Sequence, residues 1–248
     1  MKLLSIAIPC YNSEKYMRKC IDMGKGRKII INDKDMLKPD GILEIPDIGL
    51  GEAYRGKASY VVYDEEDIDD DMLELVCARK YNEPLVIAET GKFIIREMTV
   101  GDLPHFYELY QTLSDCPYVE PLYEYEDEKA FTIKYIENMY GFFGYGLWLV
   151  FDKKTGELVA RAGIENRSID GQNCQELGYL VKKSWQGKHV AWEVMNHIVD
   201  IAKDRFGLEE LYICTEKTNN PSIQLALKLG FTLYAGDTDG MNIYRKKL

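Results

Sequence analysis

The stretch from Cys174 to Phe231 constrains the fold of this chain more than any other part of the sequence. Its hydrophobic pattern predicts a strand, a long helix, a second strand and a second helix, at Gln175 to Val181, Lys188 to Arg205, Leu211 to Thr215 and Ser222 to Leu229. A short polar loop joins the first strand to the long helix. Amides at a helix start have no partner within the helix, and with the helix dipole they favour anions. The order therefore predicts a site for a phosphate-bearing cofactor at the start of the long helix.

The motifs in this stretch resemble the cofactor-binding half of the GNAT superfamily of acetyl-CoA-dependent N-acetyltransferases. The branch that acetylates ribosomal-protein N-termini is the most similar, and its pattern reads E-hydrophobic-G-Y, Q/R-x-x-G-x-G/A, N-x-x-S and G-F. The counterparts here are Glu176 to Tyr179, Gln186 to Ala191, Asn219 to Ser222 and Gly230-Phe231. The resemblance extends upstream to about Phe93. It implies an α/β (α+β) fold in which a mixed, mostly antiparallel sheet is flanked by helices.

The resemblance also implies which residues bind acetyl-CoA, the acetyl donor. The strand backbone at Leu180 and Val181 would pair with the pantetheine arm and polarise the thioester, and Asn219 would hydrogen-bond that arm. Taken alone, Asn219 is typical of a helix cap. The pyrophosphate would meet the loop amides of Gln186, Gly187, Lys188, His189, Val190 and Ala191. Lys182, Lys183 and Lys188 add positive charge nearby.

Two positions depart from the family pattern. His189 replaces the second glycine of the loop, where backbone normally approaches pyrophosphate, and a side chain there restricts the dihedral angles and adds bulk. We expect a reshaped phosphate site, with His189 in a structural or phosphate-contacting role rather than acting as a base. Ala226 stands where many relatives carry the tyrosine that protonates the leaving thiolate, so any general acid must be another group.

Attack of an amine on a thioester requires a neutral amine, and a carboxylate is the usual base. Glu176 on the cofactor strand is the first candidate, and Glu165 on the preceding strand is the substitute. Ser222 lies where related enzymes place a hydroxyl near the leaving sulfur, so we predict it as the acid. Tyr234 and Tyr179 are the next candidates.

Composition excludes several classes of function. The formal net charge is -10, which argues against nonspecific nucleic-acid binding. The six cysteines include no C-x-x-C pair, and only three histidines are present, so neither a metal site nor a disulfide framework is predicted. The longest apolar runs fall far short of the ~20 residues that cross a bilayer. We therefore expect a cytoplasmic protein that does not bind membranes.

The length favours two domains. We predict a small N-terminal α/β domain of unknown role over residues 1–90 and an acetyltransferase domain over residues 93–248. Strands are predicted in the first domain at Leu3 to Ile8, Lys28 to Asn32, Ser59 to Tyr63 and Pro84 to Ala88, with helices at Ser13 to Asp22 and Asp69 to Arg79.

The rest of the second domain continues the alternation of strands and helices. Helices are predicted at Asp102 to Thr112 and Asp127 to Met139. Further strands are predicted at Phe93 to Arg96, Gly146 to Phe151, Leu158 to Ile164, Thr232 to Ala235 and Met241 to Arg245.

The N-terminus carries a second, weaker resemblance. Leu4 to Tyr16 is similar to the opening strand and turn of nucleotide-sugar glycosyltransferases, and Ile29 to Asp35 to their next strand. Three hypotheses follow. The first is an N-acetyltransferase that acts on an amine of unknown identity, either a small molecule or a peptide N-terminus. The others are a catalytically weak acyl-CoA-binding module and a sugar-nucleotide enzyme with an acetyltransferase appendage.

Overall fold

The computed structural model describes residues 18–23, 26–32, 47–56, 58–81, 83–238 and 240–248. The chain divides into two compact units, Met1–Leu85 and Val86–Leu248. The predicted strand at Leu3 to Ile8 and the glycosyltransferase-like segment at Leu4 to Tyr16 lie outside the described residues. Within those ranges, no helix is long and apolar enough to cross a bilayer.

In its described residues, the first unit contains a four-stranded sheet and one α-helix. The strands, in the order β1-β2-β3-β4, are β1 Arg18–Asp22, β2 Lys28–Asn32, β3 Ile48–Leu50 and β4 Tyr60–Val62, and the helix is α1 Asp70–Tyr81. The β1 and β2 strands are antiparallel, whereas the other neighbours are parallel. The core consists of isoleucine and valine side chains from the sheet packed against Leu73, Val76 and Cys77.

The predicted helix at Ser13 to Asp22 is wrong over its second half. Arg18–Asp22 forms a strand whose partner is β2, with Cys20 opposite Ile30. The ladder with β2 pairs the backbone groups on one edge of this segment, and such long-range pairing overrides a weak local helical preference. The short β3 strand, which contains the fully buried Ile48, was not predicted.

The second unit is built on an eight-stranded sheet with the order β11-β12-β10-β9-β8-β7-β6-β5. Only β9 and β10 are parallel, and every other neighbouring pair is antiparallel. Its strands are β5 Val86–Glu89, β6 Phe93–Arg96, β7 Leu147–Asp152, β8 Leu158–Ile169, β9 Gln172–Val181, β10 Glu210–Glu216, β11 Thr232–Thr238 and β12 Met241–Lys247. The strand expected at Pro84 to Ala88 belongs, as β5, to this second sheet.

Four α-helices accompany this sheet in the second unit. They are α2 Leu103–Gln111, α3 Tyr125–Tyr135, α4 Val190–Asp204 and α5 Asn220–Lys228. The α2 helix packs against β8, α4 against β8 and β9, and α5 against β10. The prediction of a mixed, mostly antiparallel sheet flanked by helices is confirmed.

The hairpin of β8 and β9 is longer than predicted and sets the register of the site. Asp170 and Gly171 form its two-residue turn with φ angles of 52° and 77°, in the left-handed region that this type of hairpin turn requires. The resulting register places Glu165 directly opposite Glu176. Residues directly opposite each other in adjacent strands project to the same face, so both carboxylates lie on one side of the sheet.

A π-helix over Ile136–Phe143 continues α3, so the predicted helix at Asp127 to Met139 covers parts of two elements. The π-helix ends at Gly144, which has a φ of 77°. The last residue of α3, Tyr135, and Tyr140 within the π-helix both contact the beginning of β7. The Tyr135 hydroxyl accepts a hydrogen bond from the Leu147 amide at 2.7 Å, and the Tyr140 hydroxyl donates to the Leu147 carbonyl.

Candidate active site

The β9 and β10 strands form a fork. They are paired at a single register, Tyr212 with Glu176. Beyond that point β9 runs on to Val181 beside β8, and β10 runs on to Glu216 beside β12. The facing edges of the two strands therefore separate, and an unpaired strand edge offers backbone donors and acceptors to an extended ligand.

The Glu176 carboxylate lies where the fork opens. One of its oxygens accepts a hydrogen bond from the Arg167 guanidinium at 2.8 Å, and the other accepts from the Cys214 amide at 3.3 Å. The hydrogen bond with Glu176 raises the pKa of Arg167. Burial, followed by the negative charge of Glu176, raises the pKa of the Cys214 thiol to about 12. Glu176 is therefore held by its neighbours on both sides.

Glu165 is held less firmly. The Tyr135 hydroxyl donates to one of its oxygens at 3.0 Å, and its second oxygen has no hydrogen bond in the described part of the chain. Burial and the charge of Glu165 raise the pKa of Tyr135 well above its usual value, so this tyrosine stays protonated as a donor. Glu165 is half-buried. It thus retains an oxygen that can accept a proton.

The polar loop after β9 leads directly into α4. The Gln186 side-chain amide donates to the Val181 carbonyl at 3.1 Å and ties the loop to the end of the strand. Gly187 and His189 have φ angles of 74° and 63°. His189 precedes the first residue of α4, and no side chain caps that end of the helix. The predicted phosphate residues thus surround an uncapped helix start, where free amides and the helix dipole favour an anion.

The three lysines near this loop are not equally available. Lys182 pairs with Glu157 at 2.8 Å, and Lys183 pairs with Asp115 at 3.0 Å. The Lys188 ammonium lies 5.1 Å from the centre of the Trp185 ring and has no carboxylate partner in the described ranges. The positive charge left to bind a phosphate is therefore smaller than the sequence indicates. Binding of a phosphate here would depend mainly on hydrogen bonds from the loop amides.

The α5 helix, which packs against β10, begins near Tyr179 of β9. Asn219 caps the helix, because its side-chain oxygen accepts a hydrogen bond from the Ser222 amide at 3.3 Å. The Tyr179 phenol on β9 lies near Ser222, and burial raises the pKa of that phenol. Two of the predicted acid candidates are thus brought together. Ala226, one turn further along α5, is fully buried.

Tyr234 occupies a different environment from the other acid candidates. It lies on β11, where its ring packs edge-on against Tyr212 and the Arg245 guanidinium stacks on its face. Nearly half of its surface is exposed. These contacts separate Tyr234 from the neighbouring side chains of Tyr179 and Ser222.

Sequence reasoning missed two residues of the site, Arg167 and Tyr135. Arg167 lies two positions after Glu165 on β8, so alternation along a strand could have placed it on the same face as the carboxylates. Tyr135 carries no comparable signal, because its position depends on the π-helix. Within the described ranges, no group of three or more histidine, cysteine or carboxylate side chains could hold a metal ion.

Comparison with known proteins identifies the second unit. Residues 92–232 match the family model of the acetyltransferase (GNAT) domain. Over 88 residues the chain is 28% identical to the uncharacterized protein YkkB of Bacillus subtilis (strain 168), a match that covers 36% of this chain and 51% of that protein. The chain thus spans about half the length of this curated relative.

Solved structures share the same fold. A GnaT-family acetyltransferase from Bordetella pertussis has a TM-score of 0.56 and 19% identity, with 66% of this chain and 99% of that chain covered. The ribosomal L7/L12 alpha-N-protein acetyltransferase RimL, in complex with coenzyme A, has a TM-score of 0.58 and 14% identity, with 66% and 98% covered. The glycosyltransferase resemblance has no support, since the family match begins at residue 92. The chain belongs to the acetyltransferase (GNAT) domain family.

Proposed function

We propose that this chain transfers the acetyl group of acetyl-CoA to a primary amine by direct attack in a ternary complex. The observation that carries the proposal is the fork between β9 and β10, which the loop after β9 connects to the uncapped start of α4. A cofactor with an extended amide-bearing arm and a pyrophosphate matches this combination of an open strand edge and an anion site.

The residues predicted for acetyl-CoA fit this arrangement. Leu180 and Val181 supply the β9 edge, and Asn219 lies at the start of α5, with its side-chain NH2 group available to the pantetheine arm. The loop amides of Gln186, Gly187, Lys188, His189, Val190 and Ala191 would hold the pyrophosphate. When bound, acetyl-CoA supplies a thioester carbonyl that an amine can attack.

The opposed carboxylates Glu165 and Glu176 would serve the incoming amine. The amine forms a bond to the acetyl carbon and loses a proton to a carboxylate, while the carbon–sulfur bond breaks. Glu176 is the base that the sequence favours. The contacts favour Glu165, because both oxygens of Glu176 already accept hydrogen bonds, whereas Glu165 keeps one oxygen without a partner in the described part of the chain. A water molecule between the amine and the carboxylate would serve equally well.

The neighbouring pair of Tyr179 and Ser222 would protonate the leaving thiolate. A phenol whose pKa is raised by burial remains protonated at neutral pH and is therefore available as a donor. This pair would replace the tyrosine that relatives carry at the position of Ala226. The serine predicted from the sequence would then act together with its tyrosine neighbour.

Release of free CoA thiol from acetyl-CoA, measured across a panel of small amines and peptides with free N-termini, tests the proposal. We expect amine-dependent thiol release for at least one acceptor class. Glu165→Gln should lower kcat/KM by ~10²–10⁴-fold, the range for loss of a general base, with little change in CoA binding. Asn166→Ala, on the adjacent position of the same strand, is the matched control.

Binding of acetyl-CoA without amine-dependent turnover would contradict the proposal. It would favour the alternative, a catalytically weak acyl-CoA-binding module. The replacement of the family glycine by His189 and of the family tyrosine by Ala226 motivates that alternative. Calorimetric titration with CoA beside the turnover assay separates the two functions.

A further inference from the structure

We propose that Glu176 and Arg167 are positioning residues that fix the point at which β9 and β10 separate, and so set the width of the acetyl-CoA site. The inference rests on the proposed function. It assigns these side chains to the shape of the fork, whereas proton transfer belongs to Glu165.

The first support is the way in which the ladder between β9 and β10 ends. Their registered pair is Tyr212 with Glu176. In a parallel ladder, backbone groups alternate along a strand, so the next β10 amide directed at β9 is that of Cys214, two residues beyond Tyr212. That amide donates to the Glu176 carboxylate at 3.3 Å. A side-chain oxygen has therefore replaced the backbone carbonyl that a continuing ladder would supply.

The second support is that Arg167 fixes this carboxylate from the neighbouring strand. Its guanidinium donates to the second Glu176 oxygen at 2.8 Å, and the Glu176 side chain is only 17% exposed, against 42% for Arg167. A carboxylate this sheltered needs compensation for its lost hydration, and a charge-assisted hydrogen bond provides it. Arg167 on β8, Glu176 on β9 and Cys214 on β10 thus form a bridge across three strands.

This bridge has a direct consequence for the cofactor. Without the carboxylate, the Cys214 amide loses the partner that fixes β10 beside β9 at this point. The position at which the two strands separate would then no longer be fixed, and the width of the fork would change. Cofactor binding should suffer, whereas proton transfer should not, because Glu165 and its Tyr135 contact are unchanged.

Calorimetric titration with CoA and steady-state kinetics across pH test the assignment on the full chain. We expect Glu176→Ala to weaken CoA binding by about tenfold or more, the factor that corresponds to a lost hydrogen bond to a charged group. Arg167→Gln should also weaken CoA binding, but by a smaller factor. Arg167→Lys, which keeps the charge, should retain most of the affinity of the wild type. Ser168→Ala, on the other face of β8, is the control.

The pH dependence separates a positioning residue from a base. The acid limb of kcat/KM should persist in every Glu176 and Arg167 variant. A Glu176→Gln variant with unchanged CoA affinity, a ~10²-fold or larger loss of kcat and no acid limb would identify Glu176 as the base and overturn the proposal. Wild-type protein that binds no CoA would instead refute the proposed function.

Amide hydrogen exchange in Arg167→Gln tests the bridge independently, and it can be measured even if Glu176→Ala does not fold. The Cys214 amide should be protected in the wild type and should exchange faster in Arg167→Gln, which frees the carboxylate. Equal exchange rates at Cys214 in the two proteins would overturn the bridge.

Discussion

Replacing His189 by glycine should stabilise the chain. His189 has a φ of 63°, in the left-handed region that costs a side-chain-bearing residue roughly 1–2 kcal/mol. Its side chain is exposed and does not cap α4, so little is lost with the imidazole. Glycine restores the free backbone geometry but loses about 0.5–1 kcal/mol of extra conformational entropy on folding. The net expected gain is about 0.5–1 kcal/mol.

Thermal unfolding measures this gain. For a unit of this size, 1 kcal/mol corresponds to roughly 2–4 °C in Tm, so His189→Gly should unfold about 1–4 °C higher than the wild type. His189→Ala is the matched control, because it removes the imidazole and keeps the Cβ that causes the strain. It should show no increase. Equal Tm values for the glycine and alanine variants would refute the assignment of strain to this position.

The same two variants decide the role of the imidazole in cofactor binding. We expect His189→Gly to bind CoA more tightly than the wild type, because in the proposed complex the loop amides hold the pyrophosphate and the side chain only adds bulk. Calorimetric titration at two pH values measures the effect. A loss of affinity in both variants, greatest at the lower pH, would instead show that a charged imidazolium contacts the phosphates.

Three further predictions concern the rest of the domain. Tyr179→Phe should lower kcat by ~10²-fold or more with CoA affinity retained, because it removes the proposed donor to the thiolate; an unchanged kcat in steady-state assays would exclude this role. Burial raises the pKa of Asp102, but hydrogen bonds from Arg96 and Thr99 outweigh this effect and hold that pKa below its usual value. Its contribution to stability should therefore be present above the unfolded-state value of about 4 and be lost as pH falls through the folded value, so acid unfolding of Asp102→Asn should lack this component. The Cys214 thiol, with a pKa of about 12, should resist alkylation at pH 8. The Glu176→Gln variant should be alkylated faster at Cys214, because the negative charge that raises the thiol pKa is removed. Peptide mapping by mass spectrometry measures the alkylation rate in both proteins.

Local sequence patterns were sufficient for the framework of the second unit. The apolar period of the long helix, the polar loop before it and the Asn-Pro start of α5 are each determined by neighbouring residues, and the structure has an element at each position. The register of the β8–β9 hairpin could also have been predicted from the sequence. Asp170-Gly171 is a strong signal for a two-residue turn, and a turn there implies that Glu165 faces Glu176.

Contacts between distant parts of the chain were beyond local patterns. Lys182 and Lys183 look like phosphate ligands in the sequence, yet Glu157 and Asp115 neutralise them. The contact of Glu176 with the Cys214 amide depends on where two strands stop pairing, which no run of residues specifies. The β1 strand shows the same limit, because its helical prediction ignored the partner strand β2.

Amide hydrogen exchange of the full chain with and without acetyl-CoA tests the central claim most directly. Acetyl-CoA bound at the proposed site should increase protection in three places: the β9 edge at Leu180 and Val181, the loop from Gln186 to Ala191, and the start of α5 near Asn219. The far edge of the same sheet, at β5 and β6, serves as the internal reference and should not change. Two results would contradict the proposed acetyl-CoA site. Either no segment gains protection at saturating acetyl-CoA, or protection appears elsewhere while these three segments exchange as before.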